Sequence, residues 1–446
     1  MERNKLSKLG LAMGLAMMTA GHSAWAMSLQ EAVQTSVKSY PSIQKAMAGR
    51  QAIAGDLDVA KSRYLPTIDF EFNYGREWSD NPTTRGRAAA GNQDDRWMNR
   101  RDASLTLTQT LYDGTSRTSE VERQNALLQG AGFNISDVAE TLAADVVFSY
   151  IDVVRYRETL KLAEENLQIH TRILEDVRGR VDAGQSGIGD LQQARSREAN
   201  SKARIAEVQL DFDKAKIAFN KMVGAMPEGL SRPKFDDERL PGSVEEAIQR
   251  AMESNPLVHR SQAQVDAAKA DQSGARAGFY PTVLFEMRAT DNHDIDGSNG
   301  SNEDMTALLK FRMNLYRGGA DAAREKAAVE RHSESMSSLS ESRRQIEEEV
   351  RRAWAAKMRQ DEEVLGRFDQ VMANGQVVET YRQEFEVGQR DLLDLLDSEN
   401  ELYISRTQLI AAESSALYAR YLLMATMGTL TKDLEVTLPE AEVAAN

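Results

Sequence analysis

No cysteine occurs among the 446 residues. That excludes disulfides, thiol catalysis, thiolate metal sites and a lipid anchor on an N-terminal cysteine. Proline is scarce, and none occurs between Gly114 and Val181, so nothing in that stretch forces a break in a helix. Beyond the first 26 residues there is no run of about 18 apolar residues, which excludes a membrane-spanning helix but not spanning strands, whose trace is weaker. Basic residues are outnumbered, 55 Lys and Arg against 69 Asp and Glu, for a formal charge of -14. An acidic body of this kind argues against nucleic acid as a partner. The five histidines (His22, His170, His259, His293, His332) are scattered and form no spaced metal pair. "AGQSGIGD" lacks the second glycine of a serine elbow, because Ile188 stands there. "DIDGSNGSNED" fails as a calcium loop, with Asn299 at its sixth position and Met305 at its twelfth. Neither an enzyme nor a cofactor is expected.

Export, by contrast, is clearly written. Arg3, Lys5 and Lys8 precede an apolar run from Leu9 to Ala20 and a small-x-small site, Ala24-Trp25-Ala26, so residues 1–26 read as a signal peptide. Its removal takes the charge from -14 to about -16.

The remaining chain is two copies of one unit, residues 27–242 and 243–446. "SLQEAVQTSVKSYPSI" from Ser28 matches "SVEEAIQRAMESNPLV" from Ser243, and Pro66 aligns with Pro281, both shifted by 215. "LYDG" from Leu111 matches "LYRG" from Leu315, and Val223-Gly224 matches Met427-Gly428, both shifted by 204. The change of 11 falls between two strand candidates in each copy, about 67–76 and 103–112 in the first and 282–291 and 306–316 in the second. There Ile68, Phe70, Phe72 and Tyr74 alternate with polar residues, as do Leu105, Leu107 and Leu111, then Val283, Phe285, Met287 and Ala289, then Leu309, Phe311, Met313 and Leu315. Each run is about ten residues, enough for a tilted spanning strand. Tyr64, Tyr112, Tyr280 and Tyr316 flank one end and Trp78 and Trp97 the other, where an interfacial girdle would lie. The intervening segments, roughly 77–102 and 292–305, read as long polar loops.

The rest reads as helix. Val146, Val153, Leu160, Leu167, Leu174 and Val181 recur every seven residues, and Val350, Val364, Val371, Val378 and Phe385 keep that register with Lys357 as the exception. A helix of about 67 residues would be about 100 Å long. Helical hairpins are expected over 114–223 and 318–427, with single helices over 29–61 and 244–277 beside them. Four strands cannot close a barrel, and an open edge in lipid leaves backbone groups unpaired at several kcal/mol each. Two, three or four copies would close 8, 12 or 16 strands, and nothing in the strand pattern chooses among them.

The duplication, the order of hairpin then long helix, "LYDG" and "LYRGG", and "VGQRDLLDLLDSENELY" from Val387 resemble the TolC family of outer-membrane efflux and secretion ducts. The resemblance covers essentially all of the mature chain. It implies a mainly α fold with a membrane β-barrel portion: a trimer whose 12-stranded barrel, four strands per chain, sits on a long periplasmic α-helical barrel with an equatorial region. "AMPEGLSRPKF" from Ala225 and the C-terminal tail would fall in that equatorial region. It further implies a periplasmic adaptor, an inner-membrane ABC transporter or other pump, and outer-membrane lipid as partners. Gly184 and Gly388 would make the tip turns, and Asp394 and Asp397 would line the entrance, where carboxylates favour cations; capping at the helix start is the plainer reading of Asp391. Asp190 and Arg390 would form a closing salt bridge, while Phe385 and Gly189 replace the family's tyrosine and threonine. The leader and "LTLTQTLYDG" look most like members serving type I secretion; multidrug or small-molecule efflux is the alternative, and a non-pore periplasmic coiled-coil scaffold the third reading.

Overall fold

In a computed structural model of the chain, residues 27–90 and 97–439 are described; the expected signal peptide lies outside them. The first repeat runs α1 (Leu29–Ser39), α2 (Pro41–Ser62), β1 (Thr67–Trp78), α3 (Pro82–Ala89), β2 (Trp97–Tyr112), α4 (Ser116–Asp182) and α5 (Ile188–Val223). The second runs α6 (Val244–Ser254), α7 (Pro256–Ala275), β3 (Thr282–Ile295), β4 (Ser298–Arg312), α8 (Ala320–Glu386) and α9 (Leu392–Met427), closed by a one-turn helix, α10 (Leu430–Asp433).

Both long helices, α4 and α8, are unbroken over 67 residues, or about 100 Å. Each packs on its return helix, α4 on α5 and α8 on α9; α4 also meets α1, α2, α7, α9 and α10, and α8 meets α6 and α7. The single helices expected over 29–61 and 244–277 are each split in two. Pro41 and Pro256 drive the residue before them into extended backbone, Tyr40 at φ -72, ψ 133 and Asn255 at φ -70, ψ 124, so one helix must end and another begin.

The four strands form one antiparallel meander in chain order. Register places Phe70 opposite Leu105, Leu105 opposite Ala289 and Ala289 opposite Met305; on the same face Leu107 meets Met287 and Met287 meets Ala307. One face is therefore apolar across all four strands. The other carries Asp69 opposite Thr106, Thr106 opposite Arg288 and Arg288 opposite Thr306, with a salt bridge from Lys310 to Glu286 at 2.6 Å. The apolar face is bare in the single chain: Phe70, Leu309 and Phe311 are each about two-thirds exposed.

Strand ends differ from expectation. Segment 292–305 is no loop, because β3 and β4 continue to a two-residue turn at Asp296-Gly297, with φ +52 and +75. Two positive φ values in succession mark a type I′ turn, for which Asp-Gly is among the preferred pairs. Segment 77–102 holds α3 and the start of β2. That helix docks on the Asp296-Gly297 turn, with Asn81 Nδ2 donating to Asp296 O at 2.6 Å and Arg87 donating to Gly297 O. β4 stops at Arg312, leaving Asn314, Leu315 and Tyr316 in the turn before α8. Register shifts between Thr110 and Tyr112, so Leu111 lies at an irregularity.

The core is divided along the rods. The larger part gathers α1, α4, α5, α6, α9 and α10 around Val33, Val146, Val147, Tyr150, Phe219, Leu423, Met424 and Leu430. There the buried Glu140 of α4 accepts the N–H groups of Leu430 and Thr431, both at 3.0 Å, and the Thr431 hydroxyl at 2.5 Å. Burial pushes its carboxyl up to about 7, against the pull of those three donors. A second core, around Ile173, Val177, Ala194, Leu392, Leu395 and Leu396, sits at the far hairpin ends. Of the heptad residues, Val146, Val153, Val350 and Val378 are buried; Leu160, Leu167, Leu174 and Val181 are only half-buried in the lone chain.

Candidate functional site

The hairpin tips bring together most residues singled out at the helical end. Both turns end their long helix in the same way. After α4, Gly184 takes φ +73 and the Gln185 N–H reaches back to Arg180 O at 2.7 Å; after α8, Gly388 takes φ +78 and the Gln389 N–H reaches Glu384 O at 2.8 Å. Only glycine adopts that left-handed backbone without strain, so its placement sets where each helix turns.

The spacing in "DLLDLLD" is explained by burial. Leu392, Leu395 and Leu396 enter the second core, whereas Asp394 and Asp397 face outward, about half exposed. Asp391 occupies the N-cap position of α9 with extended backbone, but its side chain makes no capping bond. Asp190 is the residue that caps: its Oδ2 accepts from Ser186 Oγ at 2.5 Å and from the Gly187 N–H at 3.2 Å.

The expected Asp190–Arg390 salt bridge is not made within the chain. Arg390 pairs with Glu384 at 2.8 Å and with Asp394, one helical turn ahead, at 3.3 Å, and stacks 4.0 Å from the Tyr381 ring centre. Near partners on its own hairpin win over Asp190, which is held at the start of α5. Hydrogen bonds to Glu384 and then Asp394 raise the Arg390 pKa further above its ordinary value. Phe385, lacking a hydroxyl, is half-buried against the tip core and lies under the Arg180 guanidinium at 4.4 Å.

Two further ion pairs were missed by sequence reasoning. Arg197 of α5 forms a salt bridge with Asp397 of α9, so Asp397, like Asp394, has its own arginine. Arg382 of α8 pairs at 2.5 Å with Glu399 of α9, which is 2% exposed. His170 is buried on α4, where burial and then Arg197 hold its pKa below the ordinary value. Nothing in the local sequence marks these pairs, whose partners lie 200 and 17 residues apart.

At the opposite end, Trp78 and Trp97 are direct cross-strand partners at the distal edge of β1 and β2. Tyr64 anchors the proximal edge, its ring 4.7 Å from the Arg117 guanidinium and its hydroxyl 2.9 Å from Thr118 Oγ1. Tyr280 packs where a Cβ on Gly114 would come within 2.6 Å of its own Cβ; Tyr112 ends β2, and Tyr316 is largely exposed. Among the described residues no helix is long and apolar enough to cross a membrane, and no group of acidic or histidine side chains is placed to hold a metal ion.

Residues 32–225 and 247–429 match the family described as Outer membrane efflux protein, one match in each repeat. The chain belongs to that family. Outer membrane efflux proteins are TolC-like channels rather than enzymes, and this one is an outer-membrane protein. The Outer membrane efflux protein BepC of Brucella suis biovar 1 is 23% identical over 414 residues, spanning 93% of this chain and 88% of its own length. The Proteases secretion protein PrtF of Dickeya chrysanthemi is 23% identical over 423 residues, spanning 93% and 90%. The solved structure of CusC superposes with a TM-score of 0.76 at 16% identity, covering 90% of this chain and 91% of its own, which shows the fold.

Proposed function

We propose that three copies of this chain close into a passive export duct, a 12-stranded barrel in the outer membrane continued by a helical barrel across the periplasm. The open sheet carries the reading: β1 and β4 are its two edges, and its largely apolar face suits lipid only if those edges are paired. The long helix α8 supports it, because Leu365, Phe368 and Met372 are exposed on a flank that a neighbouring copy would cover. In this arrangement Tyr64, Tyr112, Tyr280 and Tyr316 lie at one membrane interface and Trp78 and Trp97 at the other. Gly184 and Gly388 form the turns of the gated tip, and Asp394 and Asp397 line its entrance.

The duct works with a periplasmic adaptor and an inner-membrane ABC transporter in type I protein secretion. The similarity to a protease secretion protein along nearly the whole chain favours that cargo class. Small-molecule efflux is the second reading, favoured by the equally long match to BepC. Deleting the protein and comparing the secreted proteome with drug susceptibility separates them: loss of a secreted protein supports the first, hypersensitivity alone the second. Detergent-extracted protein is expected to run as a heat-modifiable trimer, and a stable water-soluble monomer would refute the duct.

A further inference from the structure

Two polar contacts at the tip tie the first helical hairpin to the second: the salt bridge from Arg197 of α5 to Asp397 of α9, and one made to helix backbone. Arg180, in the last turn of α4, reaches to the end of α8. Its Nη1 donates to Phe385 O at 3.2 Å, its Nη2 to Glu386 O at 3.4 Å, and its guanidinium carbon lies 4.4 Å from the Phe385 ring centre. Those carbonyls belong to the last turn of a helix, where the dipole is negative and the i+4 donors of the helix run out; Phe385 O takes the Gly388 N–H of the turn at 3.1 Å and has a second lone pair for Arg180. A planar cation with a forked set of donors suits them, and an aromatic face beside them fixes its plane.

The contact is not a product of the repeat. The position 204 residues after Arg180 is Glu384, which turns back to Arg390 on its own hairpin. The second hairpin is thus fastened to itself, by Arg390 to Glu384 and by Arg382 to Glu399, while the first is fastened across to its neighbour. The ring at Phe385 serves this fastening without a hydroxyl, since a guanidinium stacks on the face of the ring and takes its hydrogen bonds from backbone oxygens.

We propose that Arg180 is a clamp that fastens the end of α4 to the end of α8 at the tip, alongside the Arg197–Asp397 bridge, where the Asp190–Arg390 pair is not formed. Arg180 acts as a positioning residue on the α8 terminus, and its bearing on gating rests on the reading of the tip as the closed end of a duct.

Because the chain has no cysteine, spin labels on Asp182→Cys and Val387→Cys report the separation of the two turns without background. The full-length protein is measured in detergent, with labelled chains diluted into unlabelled ones so that distances arise within one chain. Arg180→Ala is expected to lengthen and broaden the distance distribution. Arg180→Lys, which keeps the charge but not the fork or the stacked plane, is expected to fall between. Phe385→Leu removes the ring, leaves the carbonyls, and is expected to broaden the distribution less than Arg180→Ala. An unchanged distribution in Arg180→Ala, with the heat-modifiable oligomer intact, overturns the clamp. Single-channel conductance of the same variants tests the separate reading of the tip: distances that widen with no gain in conductance uphold the clamp and reject the tip as the gate.

Discussion

Replacing Glu140 by Gln should remove a pH dependence from the C-terminal segment. The Glu140 carboxylate is 5% exposed and holds the Leu430 and Thr431 N–H groups and the Thr431 hydroxyl, so the start of α10 is fastened to α4 through this one side chain. Burial raises its pKa to about 7 in the folded chain, from the ordinary glutamate value of about 4.5 in the unfolded one. A raised folded value means that the folded state binds the proton more tightly. The associated stability is therefore fully present below about pH 4.5 and is lost as pH rises through about 7. At about 1.4 kcal/mol per unit the loss is about 3 kcal/mol, equivalent to more than a hundredfold in an opening equilibrium. Hydrogen exchange at the Leu430 and Thr431 amides, expressed as protection relative to the unstructured chain, reads that opening locally and avoids assuming reversible unfolding of an assembled membrane protein. Protection at these amides should fall by roughly two orders of magnitude between pH 5 and 8 in the parent, and should stay flat in Glu140→Gln, whose carboxamide does not titrate. Equal pH profiles in the two proteins would refute the reasoning.

Leu396→Ala empties the centre of the tip core, where Leu396 is fully buried, and should cost about 2–5 kcal/mol; faster tryptic cleavage at the tip arginines is the readout, and an unchanged rate counts against that core. Gly428→Ala must place a Cβ 2.8 Å from Asn255 Cα and Pro256 Cδ on backbone at φ +75, so it should cost about 2 kcal/mol or more and lower the melting temperature of the oligomer. Arg197→Ala leaves Asp397 without its partner and should raise cation preference, seen as a shifted reversal potential in a salt gradient; no shift would mean that Asp397 is remote from the permeation path.

How legible each part was depended on how local its physics is. The apolar face of the sheet was readable from alternation, because side chains in a strand point to opposite faces in turn; register then joined Phe70, Leu105, Ala289 and Met305 as that period requires. Past the apolar runs the strands continue with polar residues on both sides, where alternation is silent, and segment 292–305 looked like a loop although its Asp-Gly turn was in view. Likewise the prolines at 41 and 256 announced helix breaks that heptad and repeat patterns passed over.

By itself the sequence determined the duplication, the four strands and the two long helices. These follow from self-similarity, from periodicity and from the absence of helix breakers over long stretches. The tertiary structure alone decided the partners of the charges at the tip. Arg390 took Glu384 and Asp394, Arg197 took Asp397, and Arg180 took two backbone carbonyls, because a long side chain pairs with whatever acceptor the packed hairpins bring within about 3 Å. For Arg197 and Arg180, whose acceptors lie 200 residues or more away, that proximity is created by folding and has no spacing in the chain to announce it.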